Sequence, residues 1–242
     1  MQLKHLLSHT VSALFLGAFA ASVPTLAHAD TIGWTTWSTI TAGNPGSATG
    51  TIGSITVTYS GQTSGSTDTP SWTPASTFTG GVVGNAPPHA PTIQLEGTTA
   101  GTPVISETIT FSSTIVDPIF AIWSLGASGT PASFDFSSKA AQPFILLGGG
   151  PSTEFGGSAL TSSGSVVSGQ EGNGLVEFLG SFDSITFTTP QFEDYYAFTV
   201  GYDETATNPN PPGVPEPATL SLLGIGLAAI PLVRSSIARR RL

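Results

Sequence analysis

Alternation with a period of two is the feature that most constrains this chain. Ile55, Val57 and Tyr59 alternate with Thr56 and Thr58, Ile109 and Phe111 with Thr108 and Thr110, and Ile185 and Phe187 with Thr186 and Thr188. Tyr196, Phe198, Val200 and Tyr202 alternate in the same way with Ala197, Thr199 and Gly201. Successive side chains of an extended strand point to opposite faces, so each run reads as a half-buried antiparallel strand. Further apolar runs lie at 92–95, 119–125, 132–136, 144–147 and 175–179, separated by turn clusters such as Gly126-Ala127-Ser128-Gly129 and Gly172-Asn173-Gly174. No stretch between them carries helical periodicity. The expected fold is all-β: an antiparallel β-sandwich of jelly-roll type, one pair of layers around a single core, with a barrel or β-solenoid as the runner-up. Residues 61–91, with Gly80-Gly81 and Pro87-Pro88, read as long connecting loops with one strand at 78–83.

Charge excludes whole classes of function. Between Asp30 and Gly213 one lysine, Lys139, stands against fourteen Asp and Glu, a formal net charge of −13. Such a domain cannot neutralise phosphates, which rules against a nucleic-acid partner. Cysteine is absent from all 242 residues, so there is no disulfide framework, thiolate zinc site or cysteine nucleophile.

The two ends read as export signals. Lys4, the apolar run from Val11 to Ala21 and the small-x-small site Ala27-His28-Ala29 follow one another in the order of a secretory signal peptide over 1–29, with Asp30 first in the mature chain. The domain expected at 30–207 is followed by a Pro-rich linker at 208–217 that ends in Pro215-Glu216-Pro217. Residues 218–233 are then almost wholly apolar or small, and as a helix they would span roughly 24 Å, a short membrane span. Arg234, Arg239, Arg240 and Arg241 form a basic stop in the tail 234–242, which favours the cytoplasmic side and leaves the large domain outside. Gly224-Ile225-Gly226-Leu227-Ala228-Ala229 matches a dinucleotide-binding pattern, but with no βαβ unit around it the match is compositional.

The order Pro-Glu-Pro, short apolar helix and arginine cluster resembles the PEP-CTERM sorting signal of Gram-negative bacteria, with Pro215, Glu216 and Pro217 on its motif. The resemblance implies two processing partners, signal peptidase and an exosortase that recognises and removes the tail. It also implies a transient stay in the inner membrane, then delivery to the cell surface or an exopolysaccharide matrix.

No catalytic constellation can be assembled from the domain sequence. His89 is its only histidine and reads as an exposed loop residue, and there is no G-x-S-x-G. Paired carboxylates leave one enzymatic option, with Glu154, Glu171, Glu177, Glu193 and Asp194 as candidates that the sequence cannot bring together. Glu193 and Asp194 are adjacent and read as a solvated strand start. No histidine cluster or calcium loop marks a metal site, and calcium stays unassigned, since only carboxylates from distant loops could converge on it. Trp34 and Trp37 should face opposite sides of a strand, and Trp123 should pack in the core. The pairs Thr56/Thr58, Thr108/Thr110 and Thr186/Thr188 are similar to the threonine ranks of ice-binding solenoids, but their unequal spacing favours the outer face of ordinary strands. The expected function is a noncatalytic surface or exopolysaccharide-matrix (biofilm) protein. The alternative is a carbohydrate-active enzyme or a calcium-dependent glycan-binding module.

Overall fold

The computed structural model describes residues 29–67, 72–137 and 142–205. The signal segment up to His28, Lys139, the linker, Pro215, Glu216, Pro217, the apolar segment 218–233 and the four terminal arginines lie outside the described residues. Within the described residues no helix is long and apolar enough to cross a membrane.

The chain forms β1 (Gly33–Trp34), β2 (Thr36–Thr41), β3 (Gly43–Ile52), β4 (Ile55–Thr63), β5 (Gly65–Thr67), a 3₁₀ turn at Ala75–Thr77, and β6 (Thr92–Leu95). There follow β7 (Glu107–Val116), β8 (Ile119–Leu125), β9 (Ala132–Asp135), β10 (Phe144–Pro151), β11 (Thr161–Ser163) and β12 (Val166–Gly169). The last are β13 (Gly172–Phe178), β14 (Ser181–Phe187) and β15 (Tyr196–Tyr202). A five-stranded sheet in the order β14-β7-β4-β3-β2 packs on a seven-stranded sheet in the order β10-β13-β8-β15-β6-β5, where β1 joins β15. A third sheet, β11-β12-β9, adds Phe134 and Val167 to the space between the layers. Every ladder is antiparallel, as the alternation predicts for a sandwich.

The main core is aromatic. Val57, Tyr59, Ile109, Phe111, Ile185 and Phe187 point inward from the five-stranded sheet and meet Phe120, Ile122, Val176, Phe178, Tyr196, Phe198 and Val200. Phe120 lies at its centre, stacked on Phe198 at 4.7 Å and edge-on to Phe134 at 5.3 Å and Phe187 at 5.6 Å. Ring pairs at such separations stabilise beyond their burial alone.

Three expectations are corrected: the single core, the half-burial of β15 and the character of residues 61–91. The sandwich has two cores, because the seven-stranded sheet is covered on both faces. Ile119, Ala121, Trp123, Leu175 and Ala197, the alternate residues of β8, β13 and β15, pack outward against Trp34, Trp72, Phe78 and Val83. Consequently β15 is buried on both sides rather than half-buried. The covering layer is the segment assigned above to long loops: its first residues extend β4 and form β5, the strand expected at 78–83 is reduced to isolated bridges of Gly80 and Asp30 to Val83, and Phe78 is fully buried edge-on to Trp72 at 4.9 Å. Its apolar residues are too sparse to show a period, although they cover a face that would otherwise leave Trp123 in water.

Trp34 and Trp37 are both buried and belong to different cores, as their spacing on extended backbone predicts. Asp30, read as the first mature residue, is tied to the covering layer, its N–H donating to the Val82 carbonyl and its carbonyl accepting from Gly84.

Candidate functional site

The outward face of the five-stranded sheet carries hydroxyls in ranks. Register pairs Thr39 with Thr49, Thr49 with Thr58, Thr58 with Thr110 and Thr110 with Ser184, a continuous row across all five strands. The next row runs Thr41, Ser47, Ser60, Thr108, Thr186, and a shorter one Thr36, Thr51, Thr56. These side chains are exposed or half-buried, and no charged residue interrupts the rows. Neighbouring strands lie about 4.8 Å apart and like-facing residues along a strand about 6.7 Å, so the rows make a two-dimensional grid of methyl and hydroxyl groups. The T-x-T pairs therefore do lie on the outer face of ordinary strands. Their unequal spacing along the chain conceals a regular arrangement in space, because β7 and β14 reach the sheet through connections of different length.

A second feature lies at one end of the seven-stranded sheet, where β8 bulges against β13: Ile122 pairs with Gly174 and Leu125 with Gly172. An extra residue on one strand re-aims its neighbours. Ser124 sits in this bulge with φ 51°, its N–H donating to Asn173 Oδ1 at 2.8 Å and its Oγ to Glu171 Oε2 at 2.7 Å. Glu171 has φ 55°, donates its N–H to the Gly126 carbonyl, and accepts at its own carbonyl from Ser152. Left-handed backbone at two non-glycine residues joined by a hydrogen bond is held by its surroundings. Gly157 closes this turn at φ 88°, where a Cβ would lie 2.0 Å from the Gln170 carbonyl oxygen.

The bulge opens onto a cleft of about 200 Å³ lined by Ala127, Phe155, Glu171, Glu193, Asp194 and Tyr195. Three of the five candidate carboxylates thus come together. Glu154 is exposed and accepts from Ser152 and Thr153, while Glu177 faces a separate cleft with Asp30, Asp117 and Asp203. The Glu193 reading is corrected: it is 7% exposed, not a solvated strand start. One oxygen, Oε1, accepts from the Tyr195 N–H at 2.9 Å, and Oε2 has no hydrogen-bond partner. Burial pushes its carboxyl up to about 7, and the nearby Glu171 and Asp194 charges act in the same direction. Trp123 packs edge-on to Phe155 and Tyr195, at 5.9 and 5.1 Å, and its Nε1 is also unpaired. Phe155 itself is 55% exposed.

Sequence reasoning missed Ser124, Asn173, Phe155 and Tyr195. The available signal was Ser124, a lone hydroxyl inside the apolar run Ile119 to Leu125. Among the described residues no group of three or more His, Asp or Glu is arranged to hold a metal ion. His89 is exposed, as expected.

Fold and surface define an all-β antiparallel sandwich with uncharged rows of hydroxyls across one sheet. Residues 213–241 match the PEP-CTERM protein-sorting motif. The chain thus carries an exosortase recognition signal, and is an exported protein with a membrane-associated C-terminal sorting segment. No curated protein and no solved structure was found to match the chain.

Proposed function

We propose that this protein is a noncatalytic component of the bacterial cell surface or exopolysaccharide (biofilm) matrix, which holds polysaccharide against the hydroxyl face of the five-stranded sheet. The observation that carries this reading is the in-register grid from Thr39 to Ser184, uncharged on a domain that is otherwise acidic. A chain of sugar rings meets such a grid through hydroxyl–hydroxyl hydrogen bonds and methyl contacts. Each contact is weak, and retention comes from many copies acting on one polymer. The sorting motif at 213–241 supports this reading, because an exported domain is one that can meet such a polymer.

Cosedimentation of the purified full-length chain with exopolysaccharide from an exporting strain tests this. Thr58→Tyr with Thr110→Tyr, neutral and well suited to strands, should cut retention about tenfold without lowering the melting temperature. Unchanged retention would contradict the face as the contact, and release of reducing ends that Glu171→Gln abolishes would contradict the noncatalytic reading. The regularity of the T-x-T pairs favours a second reading, contact with an ordered water lattice. Inhibition of ice recrystallisation by the wild type but not by the double tyrosine variant would decide for it.

A further inference from the structure

The cleft at the β8–β13 bulge has a chemistry that the hydroxyl face lacks. Glu171, Glu193 and Asp194 converge on it, and no lysine or arginine occurs among the described residues. Glu193, more than nine-tenths buried, lines the cleft with Oε2 unpartnered. The remaining lining is aromatic, an exposed Phe155 and the half-buried Tyr195, backed by Trp123. A hard metal ion fits poorly, since no three carboxylates are set for coordination and the other walls are rings rather than oxygens. An uncharged ligand leaves Glu171 and Asp194 facing Glu193, which sheds their repulsion only by keeping its own proton. A compact ammonium supplies three donors to the unfilled acceptor positions, and its attached body packs on the aromatic faces, where a cation is also favoured.

We propose that this cleft recognises a protonated primary amine carried on an aliphatic or ring-shaped body, the chemistry shared by an amino sugar and a lysine-like side chain. The inference does not rest on the matrix reading, and its failure would leave the hydroxyl face and the sorting signal untouched.

Titration of the full-length chain in detergent with glucosamine, N-acetylglucosamine, cadaverine and calcium chloride, followed by tryptophan fluorescence, tests it through Trp123. At least one amine should bind, and glucosamine should bind at least tenfold more tightly than N-acetylglucosamine, which keeps the ring and loses the charge. Preference for glucosamine would assign an amino sugar, and preference for cadaverine an alkylamine side chain. Glu193→Gln should weaken binding at least tenfold with a melting temperature no lower than that of the wild type, since the amide removes a buried carboxyl that costs stability when ionised. Phe155→Ala, at a residue too exposed to unfold the domain, should weaken it several-fold. Equal binding of N-acetylglucosamine, displacement of the amine by millimolar calcium, no binding of either amine, or full affinity in both variants would each overturn the proposal.

Discussion

Glu107 is the least expected residue of the core. It is 1% exposed, accepts hydrogen bonds from Tyr59 and Thr189, and burial pushes its carboxyl up to about 7. The folded state therefore keeps a proton that the unfolded chain releases above about 4.5. Between those values the unfolded state binds fewer protons, so stability falls as pH rises, by roughly 3 kcal/mol in all for one such group. Glu193 acts in the same direction. The melting temperature of the wild type should be several degrees higher at pH 5 than at pH 8, and Glu107→Gln should remove much of that difference. A wild type more stable at pH 8 would contradict this. At the residue scale the sequence was a good guide to direction, as with Trp34 and Trp37. It was a poor guide to carboxylate burial, because a glutamate at a strand start looks the same whether tertiary contacts cover it or not.

At the scale of elements, the alternating strands β4, β7 and β14 were legible because their inner residues are large and their outer ones are threonine. β3, Gly-Asn-Pro-Gly-Ser-Ala-Thr-Gly-Thr-Ile, was not: of its buried positions Gly46, Ala48, Gly50 and Ile52 only the last is large, and one large residue marks no period. Only pairing with β2 and β4 on both sides makes it a strand, and the two-residue turn at Gly53, with φ 52°, closes its hairpin to β4. The covering layer escaped for the opposite reason, since its few apolar residues are scattered among turn residues. Its importance can be measured. Phe78→Ala should cost about 3 kcal/mol in chemical denaturation, as for a core phenylalanine, whereas a residue of a free surface loop would cost under about 0.5 kcal/mol.

For the whole molecule, the acidic sandwich and the sorting motif play separate parts. The motif at 213–241 addresses the chain to exosortase, and the sandwich is what arrives. The carboxylate cleft was legible only as a set of candidates, because Glu171, Glu193 and Asp194 come from two turns that the bulge and β15 bring to one end of the sheet. The hydroxyl face was legible as pairs but not as a grid, since register is a property of the sheet. The central claim, delivery to the surface through the C-terminal signal, is tested most directly by intact-mass measurement of the protein from the cell-surface fraction of an exosortase-containing host. The expected chain begins at Asp30 and lacks the apolar segment 218–233 and the tail beyond it, and Arg239, Arg240 and Arg241→Ser together should empty that fraction. A surface chain that still ends at Leu242, or a triple variant that reaches the surface as well as the wild type, would contradict it.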